Sequence, residues 1–197
     1  MEWIGALYMH DANSCSFRSY CFAYDLKDLA EKGLYFIDGH NALPAKHLIT
    51  FVDFVKEYIS FVSNRSSGAC GLPNLIPYMY YFWKQDVAEG YYFRSPEYYA
   101  RQQIQRFIYA VNQPYVRDGI QSAFTNVSVF DGPYLEALFG GSEFPNGEFM
   151  IDYIDDIKEF QKLFMEVVAE IRAENMFTFP VLTISLLRKD GKFGDEE

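Results

Sequence analysis

Sulfur is scarce in this chain. Only three cysteines, Cys15, Cys21 and Cys70, occur among its 197 residues, and no CxxC pair is present. That excludes a disulfide framework and implies a reducing, cytoplasmic context. Histidine is equally rare, and His10, His40 and His47 lack metal-ligand spacing with the cysteines. No metal site is therefore expected within the chain. Walker, GxGxxG and HExxH patterns are all missing. No apolar run approaches the roughly 18 residues of a membrane span. The opening MEWIGALYMHDANS has no basic region and its apolar run breaks at His10 and Asp11, so it is not a secretory signal. The sequons at Asn64 and Asn126 are accordingly read as chance matches. Positive charge is also short, with 17 Lys and Arg against 27 Asp and Glu, a net charge of −10. Nucleic acid is excluded as the main partner, because phosphate backbones need clustered cations. Single nucleotides remain open, since a few backbone N–H groups can hold them.

What the chain has in quantity is aromatic and apolar surface: 19 Phe, 16 Tyr, and half of all residues hydrophobic. Such a chain buries a sizeable core. Without repeats or low-complexity linkers it reads as one structural unit. CSFRSYCFAYDL, residues 15–26, is rich in strand-forming aromatics. DLKDLAEKG predicts a short helix stopping at Gly33. Leu48, Phe51, Val52, Val55, Tyr58, Ile59 and Val62 recur at spacings of three and four, which predicts a long helix ending near residues 66–68. GACGLPN is a short strand or a loop. IPYMYYFWKQDVAEGYYF is aromatic almost all round, so it is expected to be buried on most sides. Ser95 followed by Pro96 and Glu97 is a helix start. SAFTNVSVFD predicts a strand, residues 140–147 a loop, Asp152 to Glu174 the strongest helix, and FPVLTISLL a final strand. RKDGKFGDEE is either a solvated end or a surface loop. Strands alternating with helices make an α/β unit with mostly parallel strands, and the many long helices suggest part of a barrel.

The residues leave several functional readings open. On chemistry alone Cys15, Cys21 and Cys70 read as structural, because free Cys is among the most buried residue types. Cys15, Phe17, Ser19 and Cys21 share one face if the segment is a single strand. The glycine beside Cys70 permits close approach of a ligand. His10 and Asp11 are either an acid–base pair or a loop-capping arrangement. In SAFTNVSVFD, Ser122, Thr125, Asn126 and Ser128 place polar groups in a strand otherwise fit for a core. They bond either to neighbouring loops or to a polar ligand at a strand end.

Taken in order, several segments resemble the catalytic subunit of the anaerobic, class III ribonucleoside-triphosphate reductases. They are His10-Asp11, YCFAYDLKDLAEKG, the Pro-Ala-Lys-His start of the long helix, SSGACG, QIQRFIYAVN, GIQSAFTNVSVFD and FPVLTISLLRKDG. No single piece is specific; the ordered set is. The resemblance implies an α/β fold that is the first half of a ten-stranded barrel of the glycyl-radical enzyme type, helix-rich and incomplete, as one partial domain over residues 1–197. It implies thiyl-radical reduction of ribonucleoside triphosphates, with Cys21 as the first-strand sulfur facing the substrate. On this reading Cys21 is reactive. Ser122, Thr125, Asn126 and Cys70 become candidates for substrate contact, with His10 and Asp11 as further candidates. The thiyl cysteine, the glycyl radical, the four-Cys zinc site and the ATP cone fall outside the segment, so the chain is expected to be a fragment, inactive alone and binding no cofactor itself. The implied partners are deoxynucleotide effectors, an activase using S-adenosylmethionine, and a second copy in a homodimer. The alternative is a non-catalytic nucleotide-binding or dimerisation module on the same fold.

Overall fold

The computed structural model describes residues 20–36 and 41–193. His10, Asp11 and Cys15 lie outside the described residues. Four strands form a parallel sheet in sequential order: β1 (Phe22–Ala23), β2 (Cys70–Leu72), β3 (Thr125–Phe130) and β4 (Val181–Ser185). Two helices separate each strand from the next. They are α1 (Lys27–Lys32) and α2 (Leu48–Ser63), then α3 (Leu75–Ala88) and α4 (Pro96–Val111), then α5 (Gly132–Phe139) and α6 (Ile154–Glu174). Parallel neighbours need such long returns, because a tight turn can only reverse the chain.

Local chemistry explains most boundaries. Gly33 ends α1 at φ 85°, and a Cβ there would stand 2.1 Å from the Ala42 carbonyl oxygen. The Ser95 hydroxyl accepts from the Tyr98 N–H at 3.1 Å, with Pro96 opening α4. Several boundaries differ from the sequence reading. The strand expected over 15–26 narrows, among the described residues, to Phe22–Ala23. Helix α2 stops at Ser63, and α6 is preceded by a 3₁₀ turn at Met150–Tyr153. Helix α5 escaped notice, although Asp131-Gly-Pro carries its signal: the Asp131 carboxylate accepts from the Tyr134 N–H at 2.9 Å, with Pro133 in the first turn. The tail read as a loop or solvated end pairs with itself as the hairpin β5 (Arg188–Lys189) and β6 (Lys192–Phe193). Asp190 and Gly191, at φ 51° and 86°, make its turn.

Among the described residues, one face of the sheet is covered and the other is open. Leu72, Val127 and Val129 join the apolar stripes of α2, α3, α4 and α6 in one core. The all-round aromatic helix α3 is buried as expected; Phe144, from the 140–147 loop, stacks on Tyr81 with ring centroids 5.1 Å apart. Beneath α3 the Asp86 carboxylate is wholly buried. It accepts from the Leu48 N–H at 2.8 Å and the Tyr99 hydroxyl at 2.9 Å, and lies 2.7 Å from His47 Nδ1. It so joins α2, α3 and α4. Among the described residues no helix is long and apolar enough to cross a membrane.

Candidate active site

Side chains alternate along a strand, and parallel partners in register point the same way. The register aligns Ala23, Gly71, Asn126 and Val181 in one row and Phe22, Cys70 and Thr125 in the next. Cys70 and Thr125 are 0% and 1% exposed and face the helices with Leu72 and Val127. Asn126, Ser128, Val181 and Thr183 occupy the open face, and Cys21, two residues before Ala23, joins them by parity. The candidates Ser122, Thr125, Asn126 and Cys70 therefore do not share one face. A one-residue step on a strand reverses the face, so Thr125 and Asn126 look opposite ways. Ser122 lies on neither face, in the loop before β3, where its hydroxyl donates to the Asn112 carbonyl at 2.8 Å.

Cys21 is exposed. The Ala69 N–H donates to its sulfur at 3.2 Å. The preceding residue must be glycine: a Cβ on Gly68 would meet the Cys21 sulfur at 2.5 Å and the Tyr20 carbonyl oxygen at 2.6 Å. Small residues, Ala23 and Gly71, then floor the face beside the thiol. Beyond them the Asn126 amide donates to Thr183 Oγ1 at 2.7 Å across β3 and β4. Thr183 was missed, although it alternates with the apolar residues of FPVLTISLL; the needed signal was the pairing of β4 with β3, which sets Thr183 opposite Ser128 and diagonal to Asn126. A thiol followed by uncharged amide and hydroxyl groups suits a neutral polyol, whose hydroxyls both donate and accept.

The two described thiols live in different surroundings. Burial pushes the Cys70 thiol up, opposed by the Ser66 hydroxyl and the charge of Arg117. Tyr24 is pushed up to about 12, first by burial and then by Cys70 and Tyr58. Cys70 is thus kept as a protonated thiol behind the sheet, while Cys21 stands in front of it. Among the described residues no group of three or more His, Cys, Asp or Glu is placed to hold a metal.

A family model described as anaerobic ribonucleoside-triphosphate reductase matches residues 3–196. The chain belongs to that family. Curated proteins furnish no match. Among solved structures, the Thermotoga maritima anaerobic ribonucleotide reductase in complex with dATP and CTP is 45% identical, with a TM-score of 0.88. It is covered over 32% of its length by 97% of this chain. The same Thermotoga maritima enzyme with dATP in the specificity site gives the same 45% identity, TM-score of 0.88 and coverage of 97% and 32%. Its form with glycerol in the active site is 44% identical at a TM-score of 0.88, covering 98% of this chain and 33% of that one. The chain therefore spans about a third of the length of these reductase relatives. The helix-rich α/β architecture with a parallel sheet is that of the anaerobic ribonucleotide reductases.

Proposed function

We propose that this chain is the first part of the catalytic barrel of an anaerobic ribonucleotide reductase, with the open face of its sheet turned toward the ribose of a ribonucleoside triphosphate. One observation carries the reading: Cys21 is presented on that face by the Ala69 N–H and Gly68, beside an uncharged polar row. In the role proposed here, the Cys21 S–H bond breaks, its hydrogen atom forms a C–H bond at a carbon radical on the ribose, and the sulfur is left one-electron oxidised as a thiyl radical. Asn126 and Thr183 hold ribose hydroxyls. Structures of the related Thermotoga maritima enzyme carry glycerol, citrate or MES in the active site, so that site admits small polar molecules.

On this reading residues 1–197 form one partial domain. The remaining strands of a ten-stranded barrel close the open face, and they or their loops bring the initiating thiyl cysteine. The glycyl radical, the structural zinc and the activase belong to the rest of a cytoplasmic, homodimeric enzyme. Ribonucleoside triphosphates are its substrates and deoxynucleotides its effectors, consistent with the dATP and CTP named for the Thermotoga relative. His10 and Asp11 stay candidates from the sequence alone, and Ser122, Thr125 and Cys70, which lie off the open face, are assigned no chemistry.

The test is Cys21→Ala in an enzyme reconstituted from this chain, the remainder of the barrel, the activase and a reductant. Loss of deoxynucleotide formation with CTP binding retained supports the proposal. Turnover at the unsubstituted rate sinks it.

A further inference from the structure

We infer that Arg117 is a positioning residue for Cys21, holding from behind the turn that presents the Ala69 N–H to the sulfur. The inference rests on the reading of Cys21 given above, but its structural half stands apart from catalysis. Arg117 is only 3% exposed. A buried guanidinium is costly unless its charge and its N–H groups are matched. Yet among the described residues no salt bridge is formed by it, and its Nε and Nη1 find no hydrogen-bond partner. What it does bond is specific. Nη2 donates to the Ser67 carbonyl at 2.7 Å and to the Ser66 carbonyl at 3.3 Å.

Those carbonyls belong to the turn between α2 and β2. They follow the C-terminus of α2, where Arg65 and Ser66 donate back to the Val62 carbonyl. A cation is favoured at this end of a helix by the helix dipole. The face of the Phe124 ring, 4.7 Å from the guanidinium carbon, adds a second partial compensation. The next two residues of the turn are Gly68, in contact distance of the Cys21 sulfur, and Ala69, which donates to it. The chain of contacts runs from the guanidinium to the Ser67 carbonyl, through two peptide units, to the sulfur.

Arg117 is itself held from two sides. Its N–H donates to the Gln121 carbonyl at 2.9 Å and its carbonyl accepts from the Gln121 N–H at 3.0 Å. Asp118 and Gly119, at φ 51° and 72°, form the turn between them. Asn64, capping α2, accepts from the Asp118 N–H at 2.7 Å and donates to the Val116 carbonyl at 3.0 Å. The loop that carries Arg117 is therefore tied to the same helix end whose exit it clamps. A leucine or methionine would fill the space at lower desolvation cost, so the presence of a guanidinium there asks for a role, and holding the 66–69 turn supplies one.

Hydrogen–deuterium exchange of the Ala69 amide tests this in the full chain, with Val127 and Val129 in β3 as internal references. Arg117→Met is expected to speed Ala69 exchange by about ten-fold, the equivalent of one hydrogen bond, with the two references unchanged. Arg117→Lys, whose ammonium keeps the charge and can still donate to a carbonyl, is expected to restore most of the protection. In the reconstituted reductase Arg117→Met then lowers kcat and leaves KM for CTP unchanged. Unaltered Ala69 exchange, or acceleration shared equally by Val127 and Val129, overturns the inference. Should Arg117→Met fail to fold, Arg117→Gln, too short to span both carbonyls, is read in the same way. If Cys21→Ala proves active, the catalytic reading fails while the exchange result still decides whether Arg117 holds the turn.

Discussion

The Cα of Gly68 lies so near Cys21 that a methyl group added there would stand 2.5 Å from its sulfur. The peptide that follows donates its N–H to the same atom at 3.2 Å. A glycine and a cysteine 47 positions apart in sequence are thus fitted to one another, and the fit presents the thiol on the open face of the sheet.

Gly68→Ala is expected to destabilise the chain by about 1–3 kcal/mol, the usual cost of forcing a methyl into a filled site. The methyl also meets the Tyr20 carbonyl, which is backbone and cannot swing aside as a side chain does. Urea denaturation measures the loss. Stability equal to that of the unsubstituted chain would mean that the segment at Tyr20 and Cys21 yields freely, and the close fit would carry no consequence.

Asn126→Ala and Thr183→Val are expected to separate function from stability. Their mutual bond is on the exposed side of the sheet, so each substitution should cost no more than about 1 kcal/mol. In the reconstituted reductase each should raise KM for CTP several-fold. Unfolding curves and initial rates check the two halves, and an unchanged KM would remove this pair from the ribose site.

Asp86→Ala is expected to be among the most damaging changes in the chain, at about 3–5 kcal/mol, the range for breaking a buried charged network. It strands the buried Leu48 N–H and the Tyr99 hydroxyl and releases His47. Calorimetry of the variant tests this. A midpoint within a degree or two of the unsubstituted chain would show that the three partners find other acceptors.

Alkaline pH should weaken the fold in a particular window. Burial raises Cys70 and Tyr58, pushes Tyr24 up to about 12, and raises Tyr78, Tyr80 and Tyr99 further. A group whose folded pKa is raised favours the folded state while protonated. That contribution is whole below the ordinary thiol and phenol values and is lost as pH climbs toward the folded ones. Stability measured in urea should therefore fall from about pH 9 upward, and Cys70→Ala should delay the onset. Alkylation at pH 8 followed by mass spectrometry should label Cys21 and spare Cys70. Equal labelling of both would contradict the burial of Cys70.

The apolar stripes of α2 and α6, the Ser95 cap and the Gly33 stop were all legible in the chain, because they depend on residues three or four positions apart. The ordered set of segments likewise led to the reductase family. The Asp131-Gly-Pro start of α5 was equally local and was overlooked. Allocation of the polar strand residues was another matter. Period two sorts Thr125 from Asn126, yet says nothing of which set the helices will cover; only packing of Val127 and Val129 into the core decided that. The same holds for Cys21 and Cys70, which look alike as isolated thiols and end on opposite faces. Gly68 and Arg117 acquire their meaning from partners some fifty positions away. Local backbone preferences and side-chain periodicity are properties of neighbours in sequence, and the chain alone determined them. The face a strand presents, the space left for a sulfur and the carbonyls a buried cation reaches are set by distant segments, and only the tertiary structure decided those.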